Sequence, residues 1–209
     1  MDTSWIFAKG IAIGVAVAAP VGPVGLLCIQ RTLEDGLRVG VSTGLGAALA
    51  DTIFGALAAY GLASVSHLLM AHRDALRLVG AVVLVVLAWG AWRKKPPQQA
   101  KAPVHVRALA GFGTGLAVTL SNPMTVMGFL GIFAGLGLEE LARGSGDAGQ
   151  LVAGVAVGST LWWLGLCGGT QALRPRLGPQ HLAWANKLAA VLLAGFAVVA
   201  LAAVAWPDG

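Results

Sequence analysis

The sequence predicts an all-α integral membrane protein. Six transmembrane helices are arranged as two inverted three-helix repeats, with helices one and four broken at proline. Three observations carry that prediction. The 209 residues are 57% hydrophobic and 11% charged, whereas a soluble domain carries about 25% charged residues. Mean hydropathy is +0.79, and several runs reach the ~20 apolar residues that span a bilayer. Two of those runs, about a hundred residues apart, hold proline in their middle.

Taken in order, span one is Trp5–Ile29, an apolar run whose single charge is Lys9. Ala19, Pro20, Val21, Gly22 and Pro23 interrupt it. Each proline removes a backbone donor and clashes one turn back. In lipid the freed carbonyls need new partners, so broken backbone survives only against protein or a water-filled cavity. A polar turn, Gln30–Arg38, leads to span two, Val39–Leu69. His72, Arg73, Asp74 and Arg77 mark the turn before span three, Leu76–Trp92. The long polar linker from Arg93 to Arg107 divides the chain near its middle. Span four is Ala108–Leu138, with its own break at Ser121, Asn122 and Pro123. A loop rich in glycine and acids, Glu139–Gly149, precedes span five, Gln150–Leu173. Arg174, Pro175 and Arg176 open the last turn, and span six is Trp184–Trp206. The expected domains are a first repeat over 1–92, a basic cytoplasmic linker over 93–107 and a second repeat over 108–209.

Charge placement orients the spans. Ten of the fourteen Lys and Arg residues fall in the one–two, three–four and five–six turns. They are Arg31, Arg38, Arg93, Lys94, Lys95, Lys101, Arg107, Arg174, Arg176 and Lys187. Lys9, Arg73, Arg77 and Arg143 lie on the other side. Basic loops stay cytoplasmic, so both termini are expected in the periplasm of a bacterial inner-membrane, multi-pass protein. Trp5 and Trp206 would mark the outer interface, and Trp89, Trp92 and Trp184 the inner one. A motif like a signal-peptidase site, Ala16 to Ala18, is read as part of an uncleaved first helix, because the apolar run continues to Ile29.

The halves repeat. Gly10, Gly14, Ala16 and Val17 recur as Gly111, Gly115, Ala117 and Val118. Gly44 and Gly55 of span two match Gly154 and Gly165 of span five. Three spans per half is an odd number, so the halves must be inverted. Inverted repeats with broken helices are typical of secondary transporters that bind substrate near the midplane.

Asp51 lies about halfway along span two, where a carboxylate costs roughly 2.5–3.5 kcal/mol on insertion scales. Gly44, Ala47, Ala48, Gly55 and Ala58 flank it on a helical wheel, while Leu45, Leu49, Ile53, Leu57 and Tyr60 lie opposite. Small residues pack against helices and large apolar ones meet lipid, so Asp51 should face the interior. At the second break Ser121 or Asn122 would cap a half-helix beginning near Met124. Its free N–H groups and positive dipole end suit an anion. Asp51 would then hold an ammonium group or a proton, and the helix ends a carboxylate, so that together they recognise a zwitterion. A plain proline kink and a structural buried acid are the bland alternatives. Gln30 and Arg31 read as interface residues, and Trp162 and Trp163 as packing or lipid contact. Gly-x-x-x-Gly spacings such as Gly10/Gly14 and Gly111/Gly115 mark close helix approach, within the chain or at a homodimer face.

Several classes are set aside. The net charge of +5 sits in short loops and points to orientation rather than to a nucleic-acid partner. No Walker-type loop is present, Gly44 and Gly46 lie inside a span, and no enzyme chemistry, cofactor or metal site is expected. Cys28 and Cys167 have neither metal-ligand spacing nor scaffold density.

These residues resemble the LysE/RhtB family of amino-acid exporters. The likeness covers nearly the whole chain. It rests on Pro20, Val21, Gly22 and Pro23, on the stretch from Gly44 to Asp51, and on Asn122 and Pro123. The chain departs from the family at Val21, which is inserted between Pro20 and Gly22, and at Met124, where a basic residue is frequent. The resemblance implies a six-helix carrier moving amino acids or related small molecules outward, driven by ion gradients. Pro20, Gly22, Pro23, Asp51, Asn122 and Pro123 are carried over as substrate-site residues, with Ser121 beside them. Asp51 is expected to couple a proton. The expected partners are an amino acid or similar small molecule, a coupling ion and membrane lipid. Two alternatives remain open: an inorganic cation carrier on the same scaffold, and a membrane thiol–disulfide relay.

Overall fold

The first proline pair decides how the chain enters its core. In the computed structural model, helix α1 (Thr3–Ala18) stops where Pro20 would deny it a donor. Its last turn is closed by the Ala19 N–H donating to Val15 O at 2.8 Å. Gly22 is extended, with φ −115° and ψ −165°, and caps α2 (Pro23–Asp35), which Pro23 opens. Proline suits that first position because its missing N–H would have had no partner there. The two helices diverge by 81°. Span one is therefore a broken pair, as its sequence requires. The structure describes residues 3–20, 22–60, 72–93, 103–122 and 145–176, with isolated positions between 125 and 129 and between 187 and 202.

The expected polar turn at Gln30–Arg38 is not a turn over most of its length. Helix α2 continues through it to Asp35, and the reversal is a single residue, Gly36, at φ +94°. Two pairs four residues apart support the extra helical turn. Gln30 Nε2 donates to Glu34 Oε1 at 3.3 Å, and Arg31 faces Asp35 at 3.5 Å. Only glycine adopts Gly36's backbone without strain.

Helix α3 (Leu37–Ala59) follows at once, then α4 (Arg73–Arg93), α5 (Val104–Leu120) and α6 (Ser145–Leu173) with a short 3-10 turn, Arg174–Arg176. A further apolar helix, α7, covers Ala190–Val199. Every regular element among the described residues is helical. Leu37–Ala59 and the stretch Asp147–Arg176 are each long and apolar enough to cross a membrane, and the α1–α2 pair makes a third span if counted as one. The chain is an all-helical, multi-pass membrane protein.

Helix α1 lies along α6, and α3 lies along α5; α3 also packs on α6, while α2 packs against α3, α6 and α5. Glycines set both long contacts. A Cβ on Gly10 or Gly14 would strike the carbonyls of Leu151 and Val155 on α6. A Cβ on Gly111 would meet Thr43 and the Val39 carbonyl on α3, and one on Gly115 the Thr43 carbonyl. The two contacts superpose in register. Residues of the first helix correspond at 10/111 and 14/115, and those of the second at 39/151 and 43/155. Gly46 over the Phe112 carbonyl and Gly158 over the Ile11 carbonyl obey the same pairing. The second helices therefore match two residues away from the Gly44/Gly154 alignment that the glycines alone suggest. Both Gly-x-x-x-Gly faces are used inside the chain, so a homodimer would need another surface.

Candidate functional site

Helix α3 sorts its faces as its sequence demands. Leu45, Leu49 and Ile53 are 39%, 42% and 37% exposed, whereas Ala47, Ala50 and Asp51 are 0%, 0% and 2% exposed. The carboxyl group of Asp51 points into the bundle. Its partner is Ser159 of α6, whose hydroxyl donates to Asp51 Oδ2 at 2.6 Å. One turn on, the indole Nε1–H of Trp163 donates to Ser159 Oγ at 3.1 Å and lies close enough to support the carboxyl group as well. The Trp163 side chain reaches this position because Gly44 leaves room; a Cβ there would sit 2.6 Å from Trp163 Cβ.

The polar node separates two apolar clusters. On one side lie Ala47 and Ala48 of α3, Trp163 and Cys167 of α6, Ala18 of α1, Val24 of α2 and Val118 of α5. On the other lie Phe54 of α3, Val155 of α6 and Ile13 of α1. A carboxylate there has no solvent, so its hydrogen bonds are its only compensation.

The helix breaks approach this node through the first cluster. Ala18 is the last residue of α1, and Val118 lies in the last turn of α5. Pro20 is exposed, Gly22 partly buried and Pro23 buried. A Cβ on Gly22 would meet, among the described residues, nothing nearer than Pro20 O, at 3.9 Å. Helix α5 ends at Leu120, at the expected break, with Ser121 as its C-terminal cap, its N–H donating to Ala117 O at 3.0 Å; the half-helix that Ser121 or Asn122 was expected to open near Met124 begins outside the described residues. Asn122 closes the turn by donating to Thr119 O at 3.1 Å, and its own carbonyl accepts from Thr125 N–H at 3.1 Å. Pro123, Met124 and Val21 lie outside the described residues. Among the described residues, the hydrogen-bond partners of Asp51 come from α6.

Ser159 was not singled out from the sequence, and Trp163 was read as packing. The signal lies in their four-residue spacing, which puts a hydroxyl and an indole on the glycine-bearing face of α6. Cys28 and Cys167 are both fully buried in one apolar cluster, and their thiols lie near each other. Distance in sequence and different spans gave no hint of that proximity.

At the end of α2 the interface residues form a second polar group. Asp35 accepts from Arg107 at 2.6 Å and faces Arg31 at 3.5 Å. The contact ties the end of the first broken span to the start of α5.

A family model described as LysE type translocator matches residues 15–203. The chain belongs to the LysE type translocator family. Among curated relatives of this translocator, the uncharacterized membrane protein YahN of Escherichia coli K12 is 35% identical over 51% of this chain and 49% of its own. The alignment thus spans about half the length of YahN. The Bacillus subtilis 168 protein named "Putative amino acid efflux protein YcgF" is 28% identical over 75% of this chain and 76% of its own. The uncharacterized membrane protein PA4757 of Pseudomonas aeruginosa PAO1 is 27% identical over 62% and 61%. No solved structure matches the chain.

Proposed function

We propose that this translocator is a secondary exporter of amino acids or related small zwitterions across the bacterial inner membrane, coupled to protons through Asp51. The observation that carries the proposal is a carboxyl group 2% exposed, midway along a membrane-length helix and held, among the described residues, by neutral donors. An ionisable group in such a place defaults to a role in transport. An ammonium group or a proton supplies the positive charge that Ser159 and Trp163 do not. Gly22 and the helix end at Ser121, Asn122 and Pro123 are the proposed seat of the substrate carboxylate, with Pro20 and Pro23 holding the first break. The efflux function in the name of YcgF agrees with the outward direction.

The wider architecture proposed is six spans in two inverted repeats, 1–92 and 108–209, joined by a basic cytoplasmic linker, 93–107. The matched packing of α1 on α6 and of α5 on α3 supports it, since inverted repeats exchange such pairs. Contact of Arg31 and Arg107 with one Asp35 supports placing the one–two and three–four turns on the same side. The basic bias makes that side cytoplasmic, with both termini periplasmic.

An inorganic cation carrier is supported less well. The atoms facing Asp51 are a hydroxyl already donating and an indole N–H, and the latter cannot ligate a cation. The test is counterflow of labelled amino acids in proteoliposomes, with and without a pH gradient, for the wild type and Asp51→Asn. Proton-stimulated exchange that the variant loses is the expected result. Equal pH dependence in both would sink the assignment.

A further inference from the structure

Six threonines on α2, α3, α5 and α6 share one habit. The hydroxyls of Thr32, Thr43, Thr52, Thr114, Thr119 and Thr170 each donate to the carbonyl four residues back. Ser159 does not follow them. Its hydroxyl donates across to Asp51, and the carbonyl four residues back, that of Val155, receives no such bond from it. That carbonyl is the one on which Gly14 of α1 rests, and the Ser159 amide nitrogen lies in the same contact. Trp163 fixes the present arrangement. An indole nitrogen only donates, so its hydrogen occupies one lone pair of Ser159 Oγ and leaves the seryl hydrogen for Asp51.

We propose that the Ser159 hydroxyl has two positions and that its choice couples the protonation of Asp51 to the seating of α1 on α6. The inference rests on reading Asp51 as the proton-coupling residue. With the carboxylate ionised, Ser159 donates to it, as observed. When one proton binds at Oδ2, that oxygen becomes the donor. Rotation about the Ser159 Cα–Cβ bond then carries the hydroxyl to Val155 O, where it donates as the threonine hydroxyls do, and the Trp163 indole N–H is left to the carboxyl group. No other proton is gained or lost. Back-bonding of this kind loads a carbonyl already used by the helix and bends it. The bend falls under Gly14, one turn before α1 ends at Ala18. A proton at Asp51 is thereby transmitted to the broken span that borders the proposed substrate seat.

Among the described residues of α1, α2, α3, α5 and α6, the other charged and titratable groups lie toward the helix ends or are paired, His105 among them in the first turn of α5. Lys9 of α1 sits 5.6 Å over the Trp5 ring, and Arg107 of α5 binds Asp35. Cys28 of α2 and Cys167 of α6 lie near each other. Arg31, Glu34 and Asp35 lie in the last turns of α2, Arg38 in the first turn of α3, and Asp147 in the first turn of α6.

The test uses the full-length protein in lipid nanodiscs, with two readouts that need no substrate. Infrared titration follows the Asp51 carboxyl band, identified by its loss in Asp51→Asn. Electron paramagnetic resonance follows the distance between spin labels at Ala12 and Ala153, both exposed on α1 and α6. The wild type should change that distance over the pH range in which the band titrates, and Asp51→Asn should hold it constant. Ser159→Ala should still titrate at Asp51 but leave the distance unmoved. A wild-type distance indifferent to pH, or a Ser159→Ala response equal to the wild type's, would overturn the proposal. Failure of the exporter reading would appear instead in amino-acid counterflow, which neither readout measures.

Discussion

Among the described residues, two carboxylates are withdrawn from solvent, and they are satisfied in opposite ways. Asp35 ends α2, has a side chain 8% exposed, and meets the guanidinium groups of Arg107 and Arg31. Asp51 lies in the middle of α3 and meets a hydroxyl and, beside it, an indole N–H. The first has its charge cancelled and joins two helices at their ends. The second meets, among the described residues, neutral donors and no cation. A charge already neutralised holds structure; one held only by dipoles is available to a proton or an ammonium group. The difference separates a clasp from a binding site more sharply than burial does.

That contrast breaks most readily at Asp51. In Asp51→Asn, proton-driven export in proteoliposomes should fall to background, together with its pH dependence. The fold should survive, because the change removes a charge whose insertion costs roughly 2.5–3.5 kcal/mol and leaves an oxygen to accept from Ser159. Thermal unfolding in detergent should therefore give a melting temperature equal to or above the wild type's. A variant that was both inactive and strongly destabilised would make Asp51 a structural group like Asp35.

Packing comes next. Valine at Gly14 or at Gly115 would drive a side chain into the facing helix carbonyl. Overpacking of this kind costs about 1–3 kcal/mol. The two substitutions should lower the melting temperature by similar amounts, because the two contacts share one register. A large inequality would argue that the halves are not equivalent.

Asp35→Asn should do less. The arginines are partly exposed, so the loss should be about 1 kcal/mol, read as a small shift in melting temperature with export reduced only a few-fold. Export abolished as completely as in Asp51→Asn would erase the distinction between the two acids. Smallest of all is the effect expected from the thiols. With Cys28 and Cys167 both replaced by alanine, export should be unchanged. Loss of function there would favour the thiol relay, which their proximity makes worth testing.

Much of this was written in the chain. Low charge and long apolar runs required a membrane. Pro20, Gly22 and Pro23 required a broken first span, and the alternation of small and large residues around Asp51 required it to face inward. Each of these is a local property, set by one helix and its solvent. The end of α2 was misjudged because the i,i+4 pairs that extend it are individually weak, and polar residues at a membrane edge look like a turn. The correspondence in sequence between α3 and α6 was off by two residues because glycines mark where helices touch but not which carbonyl they touch.

Composition and periodicity by themselves determined the class of protein, the place of the first break and the direction in which the acid points. What the acid touches was decided by tertiary structure alone. Ser159 lies 108 residues from Asp51, and only the docking of α3 on α6 brings them together. Cys28 and Cys167 are brought near each other in the same way across α2 and α6. Helical periodicity fixes which face a residue occupies, but not its height against a neighbour; that height follows from glycine contacts distributed along both partners at once.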